Sequence, residues 1–350
     1  SLLYGSDALG GVLYFNPEKF ADAGTFKANF SQKYFTNTQG SNSSIGLKTS
    51  TDNWKFLARG SYNTHSDYKI ADGDRVTNSR YNETDFKTGI GYSNSTFSSV
   101  LRYNYNKLDI GIPEDGIAEQ SSSKDTQFPR QGIFNHLLSL NNVIFFENSK
   151  LDVDLGYISN DRSEFEDSNI AVLHMKLKTF NYDAKYHLPK LGNFESIIGI
   201  QGMHQTNSNF GEEMLIPDAT VNDFGSFITS NYEWNTNVLQ AGIRFDNRNI
   251  STSNHGTLGE EGYFEAIDKK FNSFNFALGY KTNITEKIIS RINLASGFRA
   301  PNLSELTSNG VHEGSNRYEI GNQNLKNEQN FQADLNLEYK SEHFEYFING

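Results

Sequence analysis

The side chains able to do chemistry in this chain are histidines, arginines and tyrosines set in polar stretches. One stretch runs Asn309-Gly310-Val311-His312-Glu313-Gly314-Ser315-Asn316-Arg317-Tyr318, placing an imidazole beside a carboxylate, a pairing that suits zinc. His255 is the other candidate metal ligand. Arg75, Arg130, Arg299, Arg317, Tyr263 and Tyr318 could hold an anionic chelate through charge-assisted bonds and stacking. The 8 histidines form no H-x-H or H-x-x-x-H pair, so no metal-capture tract is present. Nor is there a G-x-S-x-G or H-E-x-x-H; His312-Glu313 leads only to Gly314-Ser315-Asn316. With 0 cysteines, thiolate zinc sites and cysteine nucleophiles are excluded. Asp72-Gly73-Asp74 reads as turn chemistry, because no glutamate closes a calcium loop. No catalytic residue, no enzymatic activity and no cofactor are expected.

Helical period is nearly absent, and two-residue alternation carries these residues instead. Phe331, Ala333, Leu335, Leu337 and Tyr339 oppose Gln332, Asp334, Asn336, Glu338 and Lys340. Leu239, Ala241, Ile243 and Phe245 oppose Gln240, Arg244 and Asp246. Such segments are strands with one apolar and one polar face. About fifteen are expected, near 25–35, 43–51, 54–64, 81–93, 96–108, 134–146, 151–162, 172–187, 193–206, 221–233, 237–248, 270–282, 287–298, 328–340 and 343–350.

Tight turns such as 51–53, 93–95 and 147–150 are expected to alternate strictly with long polar loops near 65–80, 109–133, 207–220, 249–269 and 299–327. Aromatics gather near strand ends, as at Tyr34-Phe35, Tyr103, Tyr105 and Phe145-Phe146. A soluble sandwich would turn its apolar faces inward; a membrane barrel would turn them toward lipid. Strands of ten residues or more, with short turns at one rim and long loops at the other, favour the barrel.

Composition agrees. The chain has 350 residues, a net charge of −11 and a mean hydropathy of −0.61. That acidity argues against nucleic acid. No apolar run is long enough for a transmembrane helix, whereas a barrel hides its apolar band in alternation.

Two segments go further. The opening, Ser1-Leu-Leu-Tyr-Gly-Ser-Asp-Ala-Leu-Gly-Gly-Val-Leu-Tyr-Phe15, fails as a phosphate loop, since Gly11 and Val12 occupy the Lys and Ser/Thr places. Its Tyr4, Gly5, Ser6, Ala8, Gly10, Gly11 and Val12 resemble the end of the plug domain in TonB-dependent outer-membrane receptors. Phe298, Arg299, Ala300, Pro301, Glu305 and Leu306, then Gly321, Asn322, Leu325 and Glu328, resemble stretches flanking a long extracellular loop in the same receptors. Gln323 and Asn327 stand where that pattern has proline, and Arg299 and Pro301 equally fit an architectural task. The N-G-x-H stretch at Asn309 is similar to members that take up zinc or haem.

The resemblance implies an all-β, antiparallel transmembrane barrel with about fifteen of roughly twenty-two strands present. Residues 1–22 would end the plug and 23–350 would form the barrel, as an internal piece of a longer protein. It further implies active import across the Gram-negative outer membrane, with an iron chelate (siderophore or haem) or another metal complex as cargo. Oligosaccharide or peptide uptake, or a passive porin or adhesin barrel, are the alternatives. Implied partners are the TonB complex, the lipid bilayer, the small-molecule or metal-chelate substrate and a surface lipoprotein.

Overall fold

The expected alternation appears in the computed structural model as strands β1 (Thr25–Phe35), β2 (Gly40–Ser50), β3 (Trp54–His65), β4 (Tyr81–Ser93), β5 (Phe97–Gly111), β6 (Arg130–Phe145), β7 (Lys150–Phe165), β8 (Leu173–His187), β9 (Phe194–Asn209), β10 (Ala219–Trp234), β11 (Asn237–Thr252), β12 (Asp268–Thr285) and β13 (Ile288–Arg299). A short helix α1 (Leu303–Thr307) and a hairpin of β14 (Asn309–His312) and β15 (Arg317–Ile320) precede β16 (Glu328–Lys340) and β17 (Glu345–Asn349). The structure describes residues 3, 5, 11–113, 120–259, 262–312 and 317–350, without the side chains of Val311, His312 and Arg317. Tyr4, Ser6, Ala8, Gly10 and Glu313 lie outside them.

Fifteen strands form one antiparallel sheet in the order β1 through β13, then β16 and β17, with β1 and β17 at its two edges. Every strand therefore pairs with its neighbours along the chain, apart from the step across the α1–β15 excursion.

The sheet is inside-out relative to a soluble protein. On β11, Arg244, Asp246 and Arg248 are 3%, 6% and 6% exposed, while Leu239, Ile243 and Phe245 between them are 36–47% exposed. On β12, Ser273 and Asn275 are buried and Phe274 and Leu278 are exposed. Apolar residues that face outward in a continuous band, with polar ones turned in, are the arrangement lipid demands. A sandwich with a packed apolar interior is ruled out. Among the described residues no helix is long and apolar enough to cross a membrane; the strands do the crossing.

Register places two aromatic belts around that band. On the turn side Phe194, Tyr232, Trp234 and Tyr280 stack in sequence, with centroids 4.4, 5.3 and 6.0 Å apart. On the loop side the aromatics Tyr103, Tyr157 and Phe180 lie in one register row, with Leu138 between Tyr103 and Tyr157. The belts are separated by about ten residues of β9, roughly 25 Å of depth for a tilted strand, which matches a hydrocarbon core.

The turn rim is tight throughout. At its β4–β5 turn the Asn94 carboxamide oxygen accepts from the Thr96 and Phe97 amides at 2.9 and 2.8 Å, folding the chain back in two residues. The loop rim departs from the strict alternation expected: β1–β2 and β7–β8 are joined by only residues 36–39 and 166–172. Strands also run further into the long connections, β5 reaching Gly111 and β6 starting at Arg130, because ladder pairing continues past the last apolar residue. The expected loop 299–327 contains α1 and the β14–β15 hairpin, each too short to show a periodic pattern.

Beneath this loop lies a small apolar core of Val221, Ile250, Ile267, Phe271, Phe298, Ala300 and Leu306. It ties loops 253–267 and 300–327 to the lumen side of β10–β13.

Candidate functional site

The lumen wall is the first part of the site. Residues 11–22 run without regular structure, and residues 18–21 among them dock on β2–β5. The Glu18 carboxylate takes two hydrogen bonds from Arg59, Nε–Oε2 and Nη2–Oε1, both 2.8 Å. Lys48 Nζ adds a 3.4 Å contact to Glu18 and donates to the Lys19 carbonyl at 3.1 Å. The Arg59 guanidinium holds the Glu18 carboxyl below the ordinary glutamate range, against the opposing effect of burial. Phe20 lies under the Arg102 guanidinium, 4.6 Å from its centroid, and Ser50 Oγ donates to the Ala21 carbonyl at 2.8 Å. Gly89 leaves room for the Phe20 ring; a β-carbon there would sit 3.1 Å from it.

Across the lumen, β10 and β11 present Asp223, Arg244, Asp246 and Arg248. Arg244 Nε is 2.8 Å from both Asp246 oxygens, and Arg248 Nε donates to Asp223 Oδ1 at 2.7 Å. Gly225 makes the space, since a β-carbon there would overlap the Arg244 guanidinium. Gly5, at φ +84°, approaches the same guanidinium closely enough that a β-carbon would lie 3.2 Å from Nη2. Glycine thus satisfies both a left-handed backbone and a near contact. A hollow of about 160 Å³ opens here, lined among others by Gly5, Gln201, Asp223 and Arg244.

The loop rim is the second part. Arg299 bridges Glu305 and Glu328, with Nη1–Oε2 2.8 Å and Nη2–Oε1 2.6 Å. Asn302 caps α1, its side chain accepting from the Glu305 amide at 2.9 Å while Glu305 Oε2 accepts from the Asn302 amide at 2.9 Å. Arg299 first, and the Asn302 amide second, hold the Glu305 carboxyl below its ordinary range. Ala300, Pro301 and Leu306 are buried, and the Gly321 and Asn322 amides donate to Ser308 and Glu305 carbonyls at 2.7 Å. A β-carbon on Gly321 would overlap the end of α1. The whole motif is therefore a fastening of the loop, and the charge of Arg299 is committed to it.

The rim candidates separate into two groups. Arg75 is drawn into its own loop, donating to the Asp67 carbonyl and to Ser66 Oγ, with its amide on Gln120. Arg130 stacks on Phe165 at 4.2 Å and meets Asp109 at 3.6 Å. Tyr263 and Tyr318 come together through Asn309, which donates to the Tyr263 carbonyl at 3.0 Å and accepts from the Tyr318 hydroxyl at 2.9 Å. His255 is exposed and pairs its backbone with Phe264 in the same loop. The backbone of Arg317 pairs with that of His312 in the hairpin. Among the described residues no group of three or more histidines and carboxylates could hold a metal ion.

Sequence reasoning missed a buried linchpin of the loops. Arg80 and Asp67 are 1% and 0% exposed, with Nη2–Oδ2 at 2.7 Å. Asn78 beside them donates to the Ile112, Gln127 and Pro129 carbonyls, stitching loop 66–80 to loop 112–129. Isolated polar residues in a polar loop carry no periodic signal. Arg248 was also missed, although Arg244, Asp246 and Arg248 recur at spacing two on one face.

Residues 3–348 match the family model for the TonB dependent receptor-like β-barrel. Among solved structures the chain is similar to the FrpB iron transporter from Neisseria meningitidis, at 13% identity and a TM-score of 0.68, covering 91% of this chain and 52% of that one. The siderophore receptor PirA from Pseudomonas aeruginosa matches at 15% identity and 0.69, covering 100% and 59%. The Serratia marcescens hemophore receptor HasR, solved with its hemophore HasA and heme, matches at 12% and 0.67, covering 90% and 50%. The chain thus spans little more than half the length of these structures, and at such identities the likeness is one of fold. An inside-out antiparallel sheet with a charged lumen wall, matched over nearly its whole length by that family model, gives the conclusion that this chain belongs to the TonB-dependent receptor β-barrel family.

Proposed function

We propose that the protein imports a scarce nutrient across the Gram-negative outer membrane by TonB-dependent transport, and that its cargo is an iron chelate, siderophore or haem, or another metal complex. The observation that carries this reading is the Glu18–Arg59 pair: a charged lumen wall holds the segment that enters it. An open passive pore has no use for such an attachment. Residues 1–22 are accordingly assigned to the end of a plug and 23–350 to the barrel. The plug motif residue Gly5, against Arg244, supports the same division.

Of the rim candidates, Tyr263 and Tyr318 are the best placed to meet cargo, because Asn309 fixes them together. His255, in the same loop as Tyr263 and paired with Phe264, is the candidate metal contact. Iron, siderophore and hemophore receptors among the similar structures support a metal chelate as the cargo class. The TonB complex supplies the energy, and no catalysis is assigned.

The test is growth of the host on defined iron, siderophore, haem or zinc sources, with and without the gene. A requirement for one source that appears on deletion, and disappears on complementation, supports the reading. Unchanged growth on every metal source would move the cargo to an oligosaccharide or peptide.

A further inference from the structure

Two of the arginines at the loop rim are spent on architecture: Arg75 is bound within its own loop, and Arg299 is held by Glu305 and Glu328. What the same rim leaves open is a cavity of about 260 Å³, lined among others by Met175, Leu215, Ile216, Ser308, Gly310 and Glu319. A cavity of about 150 Å³ holds a benzene ring, and drug-sized ligands occupy about 300–1,000 Å³. This one therefore suits a ring-sized group, not a whole chelate. Its walls are held from both sides. Loop 210–218 is stitched to the start of β8, the Phe210 amide donating to the His174 carbonyl at 2.8 Å and the Glu213 amide to the Val172 carbonyl at 2.9 Å. Gly211 lies so close that a β-carbon would overlap the Val172 carbonyl oxygen. The Asn207 and Asn209 side chains of β9 donate to the Pro217 and Ile216 carbonyls at 3.1 and 3.0 Å. Opposite stand α1, fastened through Arg299 and Glu305, and the β14–β15 hairpin. Walls fixed in advance spare a ligand much of the ordering cost.

The hairpin decides which charge looks into the cavity. Gly310 and Glu319 are register partners, so their β-carbon directions share one face. A β-carbon on Gly310 would meet Leu215 Cδ2 at 3.8 Å, which turns that face toward loop 210–218. Tyr318, bonded to Asn309, belongs to the other face, toward Tyr263. Among the described residues neither the Glu319 carboxylate nor the Ser308 hydroxyl has a hydrogen-bond or ion-pair partner. Beyond the committed Glu305, segments 210–218 and 303–320 carry Glu212, Glu213, Asp218, Glu313 and Glu319 against one arginine, Arg317. Such surroundings repel an anion and favour a cation.

We propose that this cavity binds a small apolar group that ends in an ammonium. The Glu319 carboxylate is its charge partner, the Ser308 hydroxyl a neutral acceptor, and Met175, Leu215 and Ile216 the apolar walls. The Met175 thioether suits a ring, since sulfur packs well against aromatic edges. The inference rests on the import reading: there the cavity selects cargo with an amine-bearing arm and leaves the anionic groups around the metal to other contacts.

The test uses the full-length receptor in detergent with carbon-13 methyl-labelled methionine, the Met175 resonance being identified by Met175→Leu. Benzylammonium, benzyl alcohol and benzoate are the probes: one ring with a positive, a neutral and a negative end. Benzylammonium is expected to move the Met175 signal saturably and to bind at least about tenfold tighter than benzoate. Glu319→Gln should bring it to within about twofold of benzyl alcohol. Glu342→Gln, at the opposite rim, should change nothing. An unmoved Met175 signal, or equal affinity for benzoate, would overturn the proposal on the unmodified receptor, even if a variant failed to fold. So would an undiminished preference for the cation in Glu319→Gln. The probes are not cargo, so this experiment and the growth experiment can fail separately.

Discussion

Glu18 and Arg59 form a two-point ion pair, both contacts 2.8 Å, between a segment without regular structure and the lumen face of β3. With Phe20 under Arg102 and the Ala21 carbonyl on Ser50, the pair fixes the chain where it leaves the lumen for β1. Any movement of the preceding residues must pivot about this point.

Arg59→Ala should therefore leave Glu18 with Lys48 alone and weaken the attachment by about 2 kcal/mol, the scale of a charge-assisted hydrogen-bonded pair. Faster hydrogen exchange and proteolysis within residues 11–22 of the full-length receptor are expected, with β6–β12 unchanged. Equal protection in both proteins would show that Phe20 and Ala21 suffice.

Ile243→Lys should cost about 2–4 kcal/mol of folding stability in a bilayer, because Ile243 sits mid-band on the lipid face. Ile243→Leu should be close to neutral. Equilibrium folding into vesicles, compared for the two variants, checks the direction each face looks.

Asp67→Asn removes the carboxylate from a fully buried guanidinium. An uncompensated Arg80 should destabilise the joined loops by about 3–5 kcal/mol. Limited proteolysis within 66–80 and 112–129, at unchanged barrel circular dichroism, is the expected signature.

The Arg299–Glu305 fastening should respond to acid. Because the folded carboxyl titrates below the ordinary glutamate value, its stabilisation is complete above that value and fades as pH falls through the lower folded one. Hydrogen exchange in 300–327 should accelerate below about pH 4, the ordinary glutamate range. Glu305→Gln should show the faster exchange already at neutral pH.

The strands were legible because alternation is a property of every lipid-facing segment: Leu239 to Phe245 announces one face and Arg244 the other. The Phe298–Asn322 motif was legible as a family resemblance and as loop architecture, and the capping box at Asn302 and Glu305 shows why those types are needed. What stayed hidden depends on residues far apart in sequence. Nothing around Asp67 or Asn78 marks them as buried, since their partners come from another loop. Arg75 read as a free rim cation for the same reason; the carbonyls that occupy it become acceptors only once its loop has folded.

The unbroken neighbour-to-neighbour order of the sheet also bears on how it can be built. Each hairpin from β1 to β13 finds its partner in the strand just synthesised, and only the closure of β13 on β16 must wait for an intervening excursion. Growth can therefore proceed one hairpin at a time, with β1 as a standing edge and the second unsatisfied edge travelling along the sheet. The slow event is then expected at β16, where α1 and the β14–β15 hairpin must fold inward before the ladder advances.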